Sequence, residues 1–112
     1  MNKFTHNPKL EEAMQLHAFL SSQKQQLTNQ FFQALKRDYN IAHVPSQLSR
    51  WWELTFPEFH AELEALQVRR GLCVLEDWRE FFSLMREKAV KLEADIRVTE
   101  EDIQRLKNTF LA

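Results

Sequence analysis

The sequence predicts an all-α protein. Glycine occurs once and proline three times in 112 residues, the helix formers Leu, Glu, Gln, Lys, Ala and Arg are abundant, and wherever the apolar periodicity is clear it is helical rather than alternating. A chain of this length is expected to form one domain, residues 1–112, because cores of this size do not divide into two independently stable parts. Nine Phe and three Trp supply large apolar side chains, so the fold does not depend on disulfides or metals. The expected architecture is a small helical bundle. Its long N-terminal helix, or helix pair, and its long heptad-patterned C-terminal helix form an antiparallel coiled-coil-like hairpin.

The first helix is expected from Pro8 to Tyr39, a stretch without internal Gly or Pro. Pro8 suits the first helical position, where its missing N–H leaves no intrahelical acceptor unserved. Leu10, Met14, Leu16, Leu20, Leu27, Phe31 and Leu35 recur at roughly helical spacing. The polar stretch Ser21–Gln26 blurs that stripe, so the segment is one helix or two joined near Ser21-Ser22. Pro45 disfavours the helical region for Val44, which makes residues 40–46 a break. Ser46 is a candidate cap for a short helix carrying Leu48, Trp51 and Trp52. Thr55 and Glu58 match the Thr-x-x-Glu capping box for a further helix with Phe59, Leu63 and Leu66 on one face. Gly71, after Arg69-Arg70, suits the residue that closes that helix.

The strongest pattern comes last. Phe82, Ala89, Ile96, Ile103 and Phe110 lie seven apart, and Trp78, Met85, Leu92, Thr99 and Leu106 form a second seven-residue series. Glu87 with Lys91, Glu93 with Arg97 and Glu101 with Arg105 place acid before base at i, i+4. One helix of more than thirty residues follows, with Val98-Thr99 the place where it could stop and be capped again. The seam pairs with the first helix in preference to a second copy, although both a monomer and a homodimer accommodate it.

Fifteen Lys and Arg against sixteen Asp and Glu give a net charge of −1, which disfavours a protein built to neutralise nucleic-acid phosphates. One cysteine, Cys73, excludes an intrachain disulfide, and its apolar neighbours suit a buried, inert thiol. No apolar run is long enough to span a bilayer, so no membrane partner is expected and the cytoplasm is the expected setting. The four histidines, His6, His17, His43 and His60, lack every metal-site spacing. Glu58 and Glu62 share a helical face with nothing nearby to raise a carboxyl pKa. With no phosphate loop, nucleophile triad or dinucleotide fingerprint either, no catalytic, cofactor-binding or metal-binding residue is assigned. Trp51 and Trp52 are the candidate protein-interface residues: adjacent helical side chains point about 100° apart, so one faces the core and the other, flanking it, is the better interface candidate. Lys36, Arg37, Arg50, Arg69 and Arg70 are the alternative, a set of phosphate contacts for a small nucleic-acid-binding protein, although basic pairs near helix ends also suit the dipole.

The runs Trp52-Glu-Leu-Thr-Phe56-Pro-Glu-Phe59-His-Ala-Glu62-Leu63, Leu75-Glu-Asp-Trp78-Arg-Glu-Phe81-Phe82, Lys88-Ala89-Val-Lys-Leu92-Glu-Ala-Asp-Ile96 and Thr99-Glu-Glu-Asp-Ile103 resemble a helical segment near the C-terminus of large N6-adenine DNA methyltransferases. Those polypeptides belong to restriction-modification and phage-defence systems. The likeness extends over about residues 8–110. It implies a helical spacer that packs beside catalytic and DNA-reading parts, with the chemistry elsewhere. The chain lacks the Asn-Pro-Pro-Tyr/Phe motif and the Phe-x-Gly-x-Gly motif of that family, so neither methyl transfer nor S-adenosylmethionine is carried over. Its end, Gln104 to Ala112, lacks the Leu-Tyr-Gly-like close of the family segment. The expected function is a non-catalytic interaction module of bacterial DNA modification or phage defence. It would be a split subunit, a remnant module or a phage- or plasmid-encoded decoy whose partner is a methyltransferase or another defence subunit, and it would touch DNA only weakly.

Overall fold

The computed structural model describes residues 7–65 and 75–111. Three α-helices, α1 (Pro8–Tyr39), α2 (Phe56–Ala65) and α3 (Leu75–Leu111), and two single 3₁₀ turns, Ser46–Leu48 and Trp51–Glu53, account for almost all of them. Among the described residues there is no strand, as the composition predicts. None of their helices is long and apolar enough to cross a membrane.

Asn7 caps α1: its Oδ1 accepts from the amides of Lys9 and Leu10 at 3.1 and 3.2 Å. That serves two of the amides that a helix start leaves without partners, with Pro8 in the first helical position. The helix passes through Ser21-Ser22 unbroken, so the first element is one helix, not a pair. It ends where Asn40 adopts a left-handed φ of 54° and the Ile41 amide turns back to the Lys36 carbonyl at 3.1 Å, the closure of a Schellman motif.

The Ser46 cap is a correction. Pro45 occupies the cap position without a side-chain hydrogen bond, and the Ser46 hydroxyl contacts Gln47 Oε1 at 3.4 Å instead. Between Pro45 and the next helix start at Thr55 there is too little chain for a cooperative α-helix, and two 3₁₀ turns result. The capping box forms as expected. The Thr55 amide donates to Glu58 Oε1 at 3.0 Å and the Glu58 amide to Thr55 Oγ1 at 3.4 Å. The break at 69–75, with Gly71, Cys73 and Leu66, lies outside the described residues apart from the start of α3. Further along, α3 runs through Val98-Thr99 without a break. Thr99 is buried and its hydroxyl donates to the Asp95 carbonyl at 2.8 Å in its own helix, so a polar residue fits the seam without becoming a cap.

Contacts group into two compact units, Met1–Gln25 with Lys91–Ala112, and Gln26–Val90. In the second, Phe31 of α1 is the hub: its ring stacks on Trp51 at 3.8 Å and meets the edges of Phe59, Trp78 and Phe82 at 5.7, 5.6 and 6.0 Å. Leu35, Tyr39, Leu48, Leu63, Met85 and Ala89 complete a core in which α1 and α3 run antiparallel and the 3₁₀ turns and α2 close the third side. Offset and edge-on aromatic pairs of this kind each add about 0.5–1.5 kcal/mol beyond the area they bury.

In the first unit α1 and α3 again pair antiparallel, with Lys24 bonded to Glu93 and His17 Nε2 3.1 Å from Glu100. Among its described residues only Ile96 and Thr99 are buried. Leu92, expected in the core with Trp78, Phe82, Met85 and Ile96, is half-buried, because within this unit one partner helix covers only one side of the seam. Phe19 is 58% exposed, and Met14, Leu16 and Val98 are also exposed. The expected i, i+4 ion pairs are also revised: Glu93 reaches Lys24 on α1, and Arg105 takes Asp102 at 2.7 Å, an i, i+3 pair.

Candidate functional site

Within the unit of residues 26–90, the capping box and the first half of α3 shape a groove of about 500 Å³. This is within the size range of ligand sites, roughly 300–1,000 Å³. Thr55, Phe56 and Pro57 form one side. Arg79, Ser83, Arg86 and Val90, spaced i, i+4, i+7 and i+11, form a stripe along α3 on the other, with Phe82 and Glu87 beside them. Phe56 and Phe82 belong to the buried core, so the apolar part of the groove is the outer surface of a packed aromatic cluster.

The groove's cations are held in place. Arg86 is half-buried, and its Nε donates to the Leu54 carbonyl at 2.7 Å. The guanidinium of Arg79 sits 5.2 Å from the centroid of the Phe56 ring, within cation–π range. Its carboxylate neighbour, Glu76, stands at 3.8 Å. Glu58 turns its carboxylate into the capping box. The Thr55 backbone amide and then its hydroxyl hold Glu58 below the usual carboxylate range, with Arg86 assisting. A carboxyl shifted that way is the reverse of a general acid, and Glu62 is half-buried on the same helix. Among the described residues no group of three or more His, Cys, Asp or Glu could hold a metal ion.

The structure separates the two tryptophans. Trp51 is 0% exposed and stacked on Phe31, which removes it from the candidate interface. Trp52 is half-buried, edge-on to Trp51 at 6.1 Å, and is the member with surface to offer. Two members of the basic set already hold carboxylates. Arg37 is paired with its neighbour Asp38 at 2.9 Å and Arg50 with Glu53. Lys36 is exposed, and Arg69 and Arg70 lie outside the described residues. Reading the sequence missed Arg79 and Arg86. Their seven-residue spacing around Phe82 was the available signal, but nothing in the spacing shows which element faces them.

Fold and groove define the class: a small all-α helical-hairpin protein whose packed aromatic core supports an apolar groove walled by two arginines. A family profile described as a domain of unknown function (DUF8810) matches residues 5–106, and the chain belongs to that family. No curated protein and no solved structure matches the chain.

Proposed function

We propose that the chain is a non-catalytic docking module of bacterial DNA modification or phage defence, working in the cytoplasm as a split subunit or a decoy on a methyltransferase or another defence subunit. The observation that carries the docking part is the groove beside Phe56 and Phe82. It is largely apolar, open to solvent and built on the packed aromatic core, and its ionisable groups are Arg79, Arg86 and Glu87. The link to DNA modification rests on the resemblance of residues 8–110 to the helical spacer of large N6-adenine methyltransferases. A decoy of that spacer would occupy the surface on which the spacer itself packs.

The test is reconstitution with a purified large N6-adenine methyltransferase, intact and with its own helical spacer deleted. Size-exclusion chromatography should show a stable complex with the deleted enzyme, and methylation of a cognate duplex should change on addition of the chain. Failure to bind either form sinks the reading.

A further inference from the structure

We infer that the pairing of residues 8–25 of α1 with residues 91–111 of α3 opens and closes as a cooperative unit of its own while the aromatic core of residues 26–90 stays folded. The two units are built unequally. In the larger, Phe31, Trp51, Phe59, Trp78 and Phe82 are all buried, and the other four rings all meet that of Phe31. In the smaller, one helix faces one helix, and among its described residues Ile96 and Thr99 are the buried ones. One of those two is polar, and its hydroxyl donates to the Asp95 carbonyl of its own helix rather than across the seam. The inference is independent of the docking reading, since the groove is lined wholly by residues of the larger unit.

Little holds the smaller unit closed. Leu20, Leu92, Ile103 and Leu106 are half-buried, and Met14, Leu16, Phe19 and Val98 are exposed, so their apolar area adds little to the closed state. Lys24 with Glu93 and His17 with Glu100 join α1 to α3, and polar pairs that water reaches contribute little to stability. Once separated, neither segment is much longer than the about 12–15 residues below which a lone helix is marginal in water, so separation and loss of helix go together. Unfolding the larger unit requires in addition that the aromatic packing come apart. Local stability therefore steps down between Gln25 and Gln26 on α1 and between Val90 and Lys91 on α3, although each helix is continuous across its step. A thinly packed unit beside a well-packed one opens sub-globally and opens first. Closed, the seam covers Leu20, Leu92 and Ile96; open, it gives them to water.

The test is hydrogen–deuterium exchange of the full chain, read at single amides by NMR over a series of urea concentrations below the unfolding transition. Amides of residues 17–24 and 92–103, well inside their helices, should share one opening equilibrium with a shallow urea dependence. They should be at least about a hundredfold less protected than those of Phe31, Leu35, Phe82 and Met85, which exchange only through global unfolding and with its full urea slope. A core substitution then distinguishes one cooperative unit from two. Leu63→Ala, at a buried position of α2, should speed exchange at Phe31 and Phe82 by about thirtyfold or more. It should leave residues 17–24 and 92–103 unchanged, because opening the smaller unit does not disturb Leu63. Equal protection and equal urea slopes throughout α1 and α3 overturn the inference, and so does acceleration of both sets of amides by Leu63→Ala. Protection that rises smoothly inward from the helix ends, with no shared opening, overturns it too, since that is fraying rather than a cooperative step. Should Leu63→Ala fail to fold, the urea series on the wild-type chain decides alone.

Discussion

Asp38 and the two buried tryptophans show how single groups set the energetics. The Trp78 indole N–H donates to Asp38 Oδ2 at 2.8 Å, whereas the equally buried Trp51 Nε1 has no acceptor among the described residues. Replacing either by Phe removes similar volume, so the hydrogen bonds decide the difference. Trp78→Phe gives up a bond to a charged group, worth about 1.5–3 kcal/mol, while Trp51→Phe deletes an unsatisfied donor whose burial costs about 1–3 kcal/mol. Urea denaturation at neutral pH should therefore find Trp78→Phe the more destabilising by about 2 kcal/mol or more. The difference should depend on pH. Arg37 first, and Trp78 after it, hold the Asp38 carboxyl below its ordinary range against the opposing effect of burial. A carboxyl whose folded pKa is depressed stabilises the fold above its unfolded value of about 3.9, and that stability is lost as pH falls through the folded pKa. The gap between the two variants should then narrow in melts below about pH 4, and a gap that stays constant to pH 2 would remove Asp38 from the account.

At the scale of elements, the seam of α3 is unevenly covered, and the mutational costs should follow coverage rather than heptad position. Phe82 touches Phe31, Trp51, Phe56 and Phe59, so Phe82→Ala should cost about 3–5 kcal/mol. Leu92 is half-buried, and Leu92→Ala should fall below the usual lower bound of about 2 kcal/mol for a core leucine. Equal losses in denaturant titrations would mean that the two positions share one kind of environment. The heptad itself was legible in the sequence because a 3.5-residue repeat survives whatever packs on it, and so was the capping box, which is wholly local. Leu92 was misplaced because the repeat marks which face is inward and not how many elements cover it. Thr99 was ambiguous for a local reason: a hydroxyl that can cap a new helix can equally bond the carbonyl four residues back. The groove was illegible because Thr55–Pro57 and Arg79–Val90 are brought together only by the folded core, and the two 3₁₀ turns were read as one helix because their apolar content matched either.

The whole molecule carries a net charge of −1, and several of its cations are already engaged: Arg37, Arg50 and Arg105 each hold a nearby carboxylate, and Lys24 is bonded to Glu93. A protein driven by phosphate contacts gathers unpaired cations on one surface and loses affinity with a slope of about −0.9 per neutralised phosphate as salt rises. Here an arginine engaged with its own carboxylate must break that pair before it meets a phosphate, which lowers the net gain per contact. Duplex binding should accordingly be absent or confined to the non-specific range of roughly 10⁻⁴–10⁻⁶ M at physiological salt. Anisotropy with a labelled duplex at about 50 and 200 mM salt measures both affinity and slope. Calorimetric titration with S-adenosylmethionine should show no heat of binding, since the chain lacks the glycine motif that holds that cofactor in the family it resembles. Nanomolar duplex binding that survives the higher salt would transfer the working surface to Lys36, Arg37 and Arg50. Weak binding lost at 200 mM, alongside a methyltransferase complex that persists there, is the pattern expected of a module whose recognition is apolar at its centre and charged at its rim.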